Sequence, residues 1–139
     1  MENVIFTSTA TAKNGRDGHV QSDDGLINLA LVNPANNKQA RGSNPEQLFA
    51  AAYSACYDGA LHLVASKEKK KIDSETTAAV SLLKDSEDNG FKIAVELTIK
   101  IKGVEQSEAE ELAKKAHQVC PYSKATRGNI DVQLKPRAI

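Results

Sequence analysis

The chain contains no tryptophan, and only 4% of its residues are aromatic, so it lacks the stacking platforms that single-stranded nucleic acids require. It also lacks a surplus of charge: 18 Lys and Arg stand against 18 Asp and Glu. Phosphate binding normally leaves a basic excess, so nucleic acid is not expected as a partner. No run of eighteen apolar residues is present to cross a membrane. The opening Met1-Glu2-Asn3-Val4-Ile5-Phe6 has no basic stretch leading into a long apolar one, so a secretory signal is not expected and a reducing cytoplasm is the default. Cysteine is scarce, with Cys56 and Cys120 only, and a cytosolic pair is either structural filler or a redox couple. What the chain does have, 40% hydrophobic and 26% charged residues in 139 positions, is enough for one folded domain over residues 1–139.

The first third reads as strands and turns. Val4 to Thr11 is rich in Thr, Val, Ile and Phe, Asn14 to Gly18 supplies two glycines for a tight turn, and Gln21 to Gly25 supplies a second. Leu26 to Val32 completes an expected antiparallel meander, and Asn33 to Arg41 has no period and reads as a loop. At Asn44 the pattern becomes helical: Asn44 is a good cap, Pro45 suits the first helical position, and Glu46 faces the positive end of the helix dipole. The helix is predicted over about 45–66, with Leu48, Ala52, Ala55 or Cys56, Gly59 and Leu63 as its apolar stripe. Its small residues should let another backbone approach closely, and Lys67 to Lys71 read as a solvated end. Thr76 to Leu83 and the alternating Phe91 to Ile101 are expected to form a hairpin turning at Asp88-Asn89-Gly90. Ser107 and Glu110 suggest a capping box for a helix through Val119, its inner face Ala109, Leu112, Ala113 and Ala116. Pro121 should kink or end it near Cys120, before a closing strand at Ile130, Val132 and Leu134. The class is α+β, and the small-residue helix and one-faced sheet suggest burial against a second copy.

Chemistry can sit in few places. Cys56 lies mid-helix, where a free thiol is commonly a small buried hydrophobe, whereas Cys120 at a helix end is less naturally filler. Neither gains from its own helix dipole, so a reactive thiol needs a cation, and Arg16, Arg41 and Arg127 are the candidates. His62 falls about 240° round the helix from Cys56. His117 and Cys120 have metal-ligand spacing but no second pair to complete a site, so no metal is expected. His19 reads as a solvated turn residue.

Two longer stretches carry more information. Asn44-Pro-Glu-Gln-Leu-Phe-Ala-Ala-Ala-Tyr-Ser-Ala-Cys56 and Cys120-Pro-Tyr-Ser-Lys-Ala-Thr-Arg-Gly-Asn-Ile-Asp131, together with the Gly15-Arg16-Asp17-Gly18 turn, resemble the motifs of the organic hydroperoxide resistance branch of the OsmC/Ohr family. The resemblance runs in order along essentially the whole chain. Ala52 departs from it, standing where the family often has Gly.

The resemblance implies antiparallel strands wrapped around two main helices in an intertwined homodimer, with sites at the subunit interface. It implies a thiol peroxidase for organic hydroperoxides, with no bound cofactor and a dihydrolipoyl dithiol on a lipoylated protein as external reductant. Cys56 matches the peroxidatic cysteine, Cys120 the resolving one, Arg16 the catalytic arginine and Glu46 its carboxylate partner. Leu48, Phe49 and Tyr122 are candidates to receive an alkyl tail, while Arg127 reads as a structural ion-pair residue. Glu46 and Cys56 are ten residues apart, about 15 Å along one helix, more than an arginine fork spans. The expectation is therefore a site shared between chains, Arg16 and Glu46 from one meeting Cys56 of the other. An OsmC-branch peroxidase with another reductant or substrate, and a non-catalytic dimeric binding protein, remain the alternatives.

Overall fold

A computed structural model describes residues 2–36, 39 and 41–139; part of the predicted 33–41 loop lies outside the described residues. The chain divides into two compact units, Met1–Leu48 and Phe49–Ile139.

The first unit holds a three-stranded antiparallel meander: β1 (Ala10–Lys13), β2 (His19–Ser22) and β3 (Asn28–Ala30), in that order across the sheet. The strands are shorter than the sequence suggests. Residues 4–9 stay outside the sheet, with Val4, Ile5 and Phe6 75%, 89% and 80% exposed, because β-propensity alone cannot hold a strand without a paired neighbour. Between β1 and β2 the chain makes a single 3₁₀ turn over Gly15–Asp17. Asn14 and Gly15 enter it with φ of 62° and 65°, a left-handed conformation that Gly and Asn tolerate best. A Cβ on Gly18 would sit 1.8 Å from the Lys13 carbonyl oxygen, so only glycine fits there. His19, expected in the turn, lies in β2 with its Nε2 2.5 Å from Asn28 Oδ1.

Helix α1 (Pro45–Lys67) begins at the end of this unit and continues through the next. Asn44 caps it as predicted, its Oδ1 accepting from the Gln47 N–H at 2.8 Å. The buried face is not the predicted small-residue stripe. Tyr53, Tyr57, Ala60, Leu61, Val64 and Ala65 are buried, whereas Ala55, Gly59 and Leu63 are exposed in the single chain. The two tyrosines decide the face, each with a large apolar body to bury and a hydroxyl that finds a partner. Tyr57 donates to the Ala113 carbonyl at 2.6 Å, and burial raises its phenol pKa well above the ordinary value.

The second unit continues with β4 (Asp73–Asp85), β5 (Gly90–Lys102), α2 (Gln106–Val119), α3 (Pro121–Thr126) and β6 (Val132–Ala138). β4 and β5 pair antiparallel along their whole length, from Asp73 opposite Lys102 to Asp85 opposite Gly90. β6 lies on the other side of β5 and runs parallel to it, starting from Val132 beside Val95. An all-antiparallel sheet therefore does not form. The two helices between β5 and β6 supply the long crossover that a parallel neighbour requires. The alternation read in β5 puts Val95, Leu97, Ile99 and Ile101 in the core, against the fully buried Ala109, Leu112, Ala113 and Ala116 of α2. The cap of α2 differs from expectation: the chain reverses at Gly103 with φ of 105°, and the helix starts earlier, so Glu108 reaches back to the Glu105 N–H at 3.1 Å. α3 is an element the sequence reading did not contain.

Candidate functional site

The turn carrying Arg16 is fixed from both sides. The Gly18 N–H returns to the Gly15 carbonyl at 3.1 Å, and the Leu31 N–H reaches the Gly18 carbonyl at 2.9 Å. Asp17 Oδ1 accepts from the Asn33 N–H at 3.2 Å. Arg16 Nη1 then donates to both oxygens of Glu46, at 2.7 and 3.1 Å. This is one nitrogen shared by a carboxylate, not the two parallel bonds expected of a bidentate fork. The guanidinium consequently keeps Nε and Nη2 without hydrogen-bond partners among the described residues. Glu46 stands in the first turn of α1, where the dipole favours its negative charge, and its side chain is only 15% exposed against 44% for Arg16. The pair is thus a clamped carboxylate presenting a partly free cation. Leu48, the candidate tail contact of this unit, is half-buried.

In the second unit α1 presents Cys56 half-buried, and the junction of α2 and α3 presents Cys120 fully buried; both are free thiols. Cys120 Sγ donates to Cys56 Sγ at 3.7 Å. A disulfide needs about 2.05 Å between sulfurs, so the two are in contact and a modest shift of one side chain closes the gap. Pro121 ends α2 as predicted, but it also opens α3. Cys120, expected only at the negative end of a helix, is therefore also the residue before a new one, and its Sγ accepts from the Ser123 N–H at 3.5 Å. Burial pushes the Cys56 thiol up; a hydrogen bond from the Tyr122 backbone opposes this, and the neighbouring Cys120 raises it further.

Three rings from α1 and α3 pack together. Phe49, Tyr53 and Tyr122 have centroids 5.8 to 6.1 Å apart in tilted and edge-on arrangements. Phe49 and Tyr122 also line a largely apolar cavity of about 330 Å³, with Ile93, Ala125, Thr126, Asn129 and Ile130. A larger cavity of about 840 Å³ is lined by His62, Lys69, Lys70, Lys71 and Lys102 among others, and no cysteine or aromatic residue lines it.

Several residues sit otherwise than expected. Arg127 forms no ion pair among the described residues: its Nη2 donates to the carbonyl of His117 at 2.6 Å, satisfying the open end of α2. His62 contacts Ser74 Oγ at 2.6 Å, and Asp58 accepts from both Ser74 and Thr76. Tyr53, Ser123 and Thr126, which the sequence reading passed over, join His117, which it weighed only as a metal ligand, in a polar cluster beside Cys120. The available signal was spacing, since Tyr53 stands one helical turn before Cys56, and Ser123 one turn after Cys120.

His117 yields a pH prediction. Burial first, and then the positive charge of Arg127, lower its pKa below the ordinary value. The unfolded chain therefore binds a proton at about pH 6.5 that the folded chain refuses. Stability is expected to fall as pH drops through that value and to level off below the folded-state pKa. Urea unfolding across this range should show the slope, and His117→Gln should flatten it.

The second unit is thus an α+β unit with two free thiols in contact, on a chain whose first unit carries a carboxylate-clamped arginine. The OsmC-like protein family model matches residues 36–135. The organic hydroperoxide resistance proteins OhrA and OhrB of Bacillus subtilis are 52% and 51% identical to the chain over 138 and 133 residues, covering 97% and 95% of it and 98% of each relative. The crystal structure of Bacillus subtilis OhrB superposes with a TM-score of 0.93 at 49% identity, covering 96% of this chain and all of that one. The chain belongs to the organic hydroperoxide resistance branch of the OsmC/Ohr family, and its fold is that family's.

Proposed function

We propose that the protein is a cysteine-based peroxidase that reduces organic hydroperoxides to alcohols. The 3.7 Å contact between the sulfurs carries this reading, because the reaction needs one attacking thiolate and one resolving thiol within reach. The Cys56 thiolate attacks the outer peroxide oxygen, the O–O bond breaks, and the departing alkoxide takes a proton to become the alcohol. Cys56 is left as a sulfenic acid. Cys120 then attacks that sulfur; the S–O bond breaks, water leaves, and a disulfide remains. An external dithiol of dihydrolipoyl type exchanges with the disulfide, returning both thiols and leaving as its own cyclic disulfide.

Arg16 and Glu46 complete the site from a second copy of the chain. Ten residues separate Glu46 from Cys56 along α1, and the guanidinium held by Glu46 retains donors for a sulfur anion and a peroxide oxygen. A dimer also suits the first unit, where among the described residues only Leu31 and Ser43 are buried while Val4, Ile5, Phe6 and Leu26 stand open, apolar surface that a lone soluble chain seldom displays. The cytoplasm fits two thiols that must return to the reduced state each cycle.

The test is intact-mass analysis after one equivalent of an alkyl hydroperoxide. Loss of about 2 Da with Cys56 joined to Cys120 supports the cycle, and two thiols that remain alkylatable overturn it.

The cavity beside Tyr122 predicts a preference for alkyl over hydrogen peroxide. Each methylene it buries contributes about 0.8 kcal/mol, or about fourfold in kcat/KM. Efficiency should therefore climb along a series of alkyl hydroperoxides until the cavity is full. Equal values for hydrogen peroxide and a fatty-acid hydroperoxide would remove the cavity from the mechanism.

A further inference from the structure

The polar cluster beside Cys120 can be read proton by proton. Ser123 Oγ lies 2.8 Å from Tyr53 Oη and 2.8 Å from His117 Nδ1. Tyr53 Oη lies 3.2 Å from Thr126 Oγ1, and Thr126 Oγ1 lies 3.2 Å from the Ser123 carbonyl oxygen. Each hydroxyl has one proton, and a carbonyl only accepts. Thr126 therefore gives its proton to the carbonyl and must accept from Tyr53. Tyr53 in turn accepts from Ser123, and Ser123 from His117. One arrangement alone supplies a proton to all four contacts, and it puts the neutral imidazole's hydrogen on Nδ1.

The circuit leaves from the Ser123 side chain and returns to the Ser123 backbone, and the amide of the same residue holds Cys120 Sγ. Ser123 is wholly inaccessible to solvent, as is Tyr53. Tyr53 belongs to α1, one turn before Cys56, while Ser123 and Thr126 belong to α3 and His117 to α2. The circuit thus ties the helix that carries one sulfur to the segment that carries the other. Apolar contacts between these elements resist separation but slide easily, whereas hydrogen bonds at fixed length and direction set a register.

We propose that Tyr53, Ser123, Thr126 and His117 form a positioning circuit that holds Cys120 in register with Cys56 for disulfide formation, an inference that rests on the peroxidase reading for its place in the cycle. The three side chains other than Ser123 act through it. The attack on peroxide does not use the Tyr53 hydroxyl, so a variant lacking it separates the two chemical steps.

The experiment compares wild type with Tyr53→Phe, Thr126→Val and Thr126→Ser. Sulfenic acid formation at Cys56 should be unchanged in Tyr53→Phe; Thr126 also lines the apolar cavity, so its variants are read at the disulfide step alone. Disulfide formation should slow about tenfold in Tyr53→Phe and Thr126→Val, the size of one buried hydrogen bond, and recover in Thr126→Ser. The equilibrium between the Cys56–Cys120 disulfide and dithiothreitol should shift against the protein disulfide by the same factor. That measurement needs no hydroperoxide, so it reads the circuit even if the peroxidase reading fails, which a wild type forming no sulfenic acid would reveal. Nitrogen NMR of wild type should find the His117 proton on Nδ1. Wild-type disulfide rates and equilibria in the folded variants, or a proton on Nε2, would overturn the proposal.

Discussion

Cys56→Ser is expected to lose hydroperoxide reduction by about a thousandfold or more, the scale seen when a nucleophile is removed. Serine keeps nearly the shape of the side chain, and at a half-buried position its hydroxyl can reach water, so α1 should still pack and the melting temperature should stay near wild type. What disappears is a polarizable anion able to accept oxygen, because the hydroxyl does not ionise near neutral pH and cannot form a sulfenic acid. Cys120→Ser behaves differently. The first turnover should proceed at close to the wild-type rate and stop with Cys56 as a sulfenic acid, detectable by mass or by a dimedone adduct. Stopped-flow measurement of one equivalent of hydroperoxide, followed by steady-state cycling with a dithiol, separates the two variants. If Cys120→Ser loses the first turnover as well, the assignment of attacking and resolving thiols must be reversed or abandoned.

Arg16→Ala is expected to cost about 10²- to 10³-fold in kcat/KM, the range for removing one preorganised charged donor from a developing negative charge. Burial raises the Cys56 thiol, so an anion there needs outside support. Without the guanidinium, the pH at which hydroperoxide reactivity half-develops should move upward. Arg16→Lys should recover little, since an ammonium cannot bind Glu46 and still present a second planar donor. Sharing between copies adds a sharper consequence. A heterodimer of one Arg16→Ala chain and one Cys56→Ser chain contains one intact site if each site draws on both chains. Random mixing of the two inactive proteins should then restore about a quarter of wild-type activity. Mixtures no more active than their parents would mean that each chain builds its own site.

Much of this molecule was legible along the chain. Asn44, Pro45 and Glu46 announced the start of α1 because capping and dipole effects are local. The alternation from Phe91 to Ile101 identified β5 because one face of it is buried. Pro121 marked the end of α2, since its ring cannot enter the preceding hydrogen-bond ladder. Other features were not legible. The buried face of α1 was misread because small residues mark close approach only when a partner is there, and the tyrosines that dominate the face look polar. The parallel course of β6 follows a crossover through α2 and α3, and α3, with six residues, is too short to leave a periodic trace. The Arg127 assignment failed because the nearest need was an uncapped carbonyl rather than a carboxylate.

By itself, then, the sequence determined the family, the helix ends and the residues able to do sulfur and guanidinium chemistry. Each of these is written in residue type and short-range spacing. Only the tertiary structure decided that two cysteines 64 positions apart touch, that Cys120 stands between two helices, and that Tyr53, Ser123, Thr126 and His117 share a closed set of protons. Those relations join segments far apart along the chain, and packing of the core, not local preference, brings them within bonding distance.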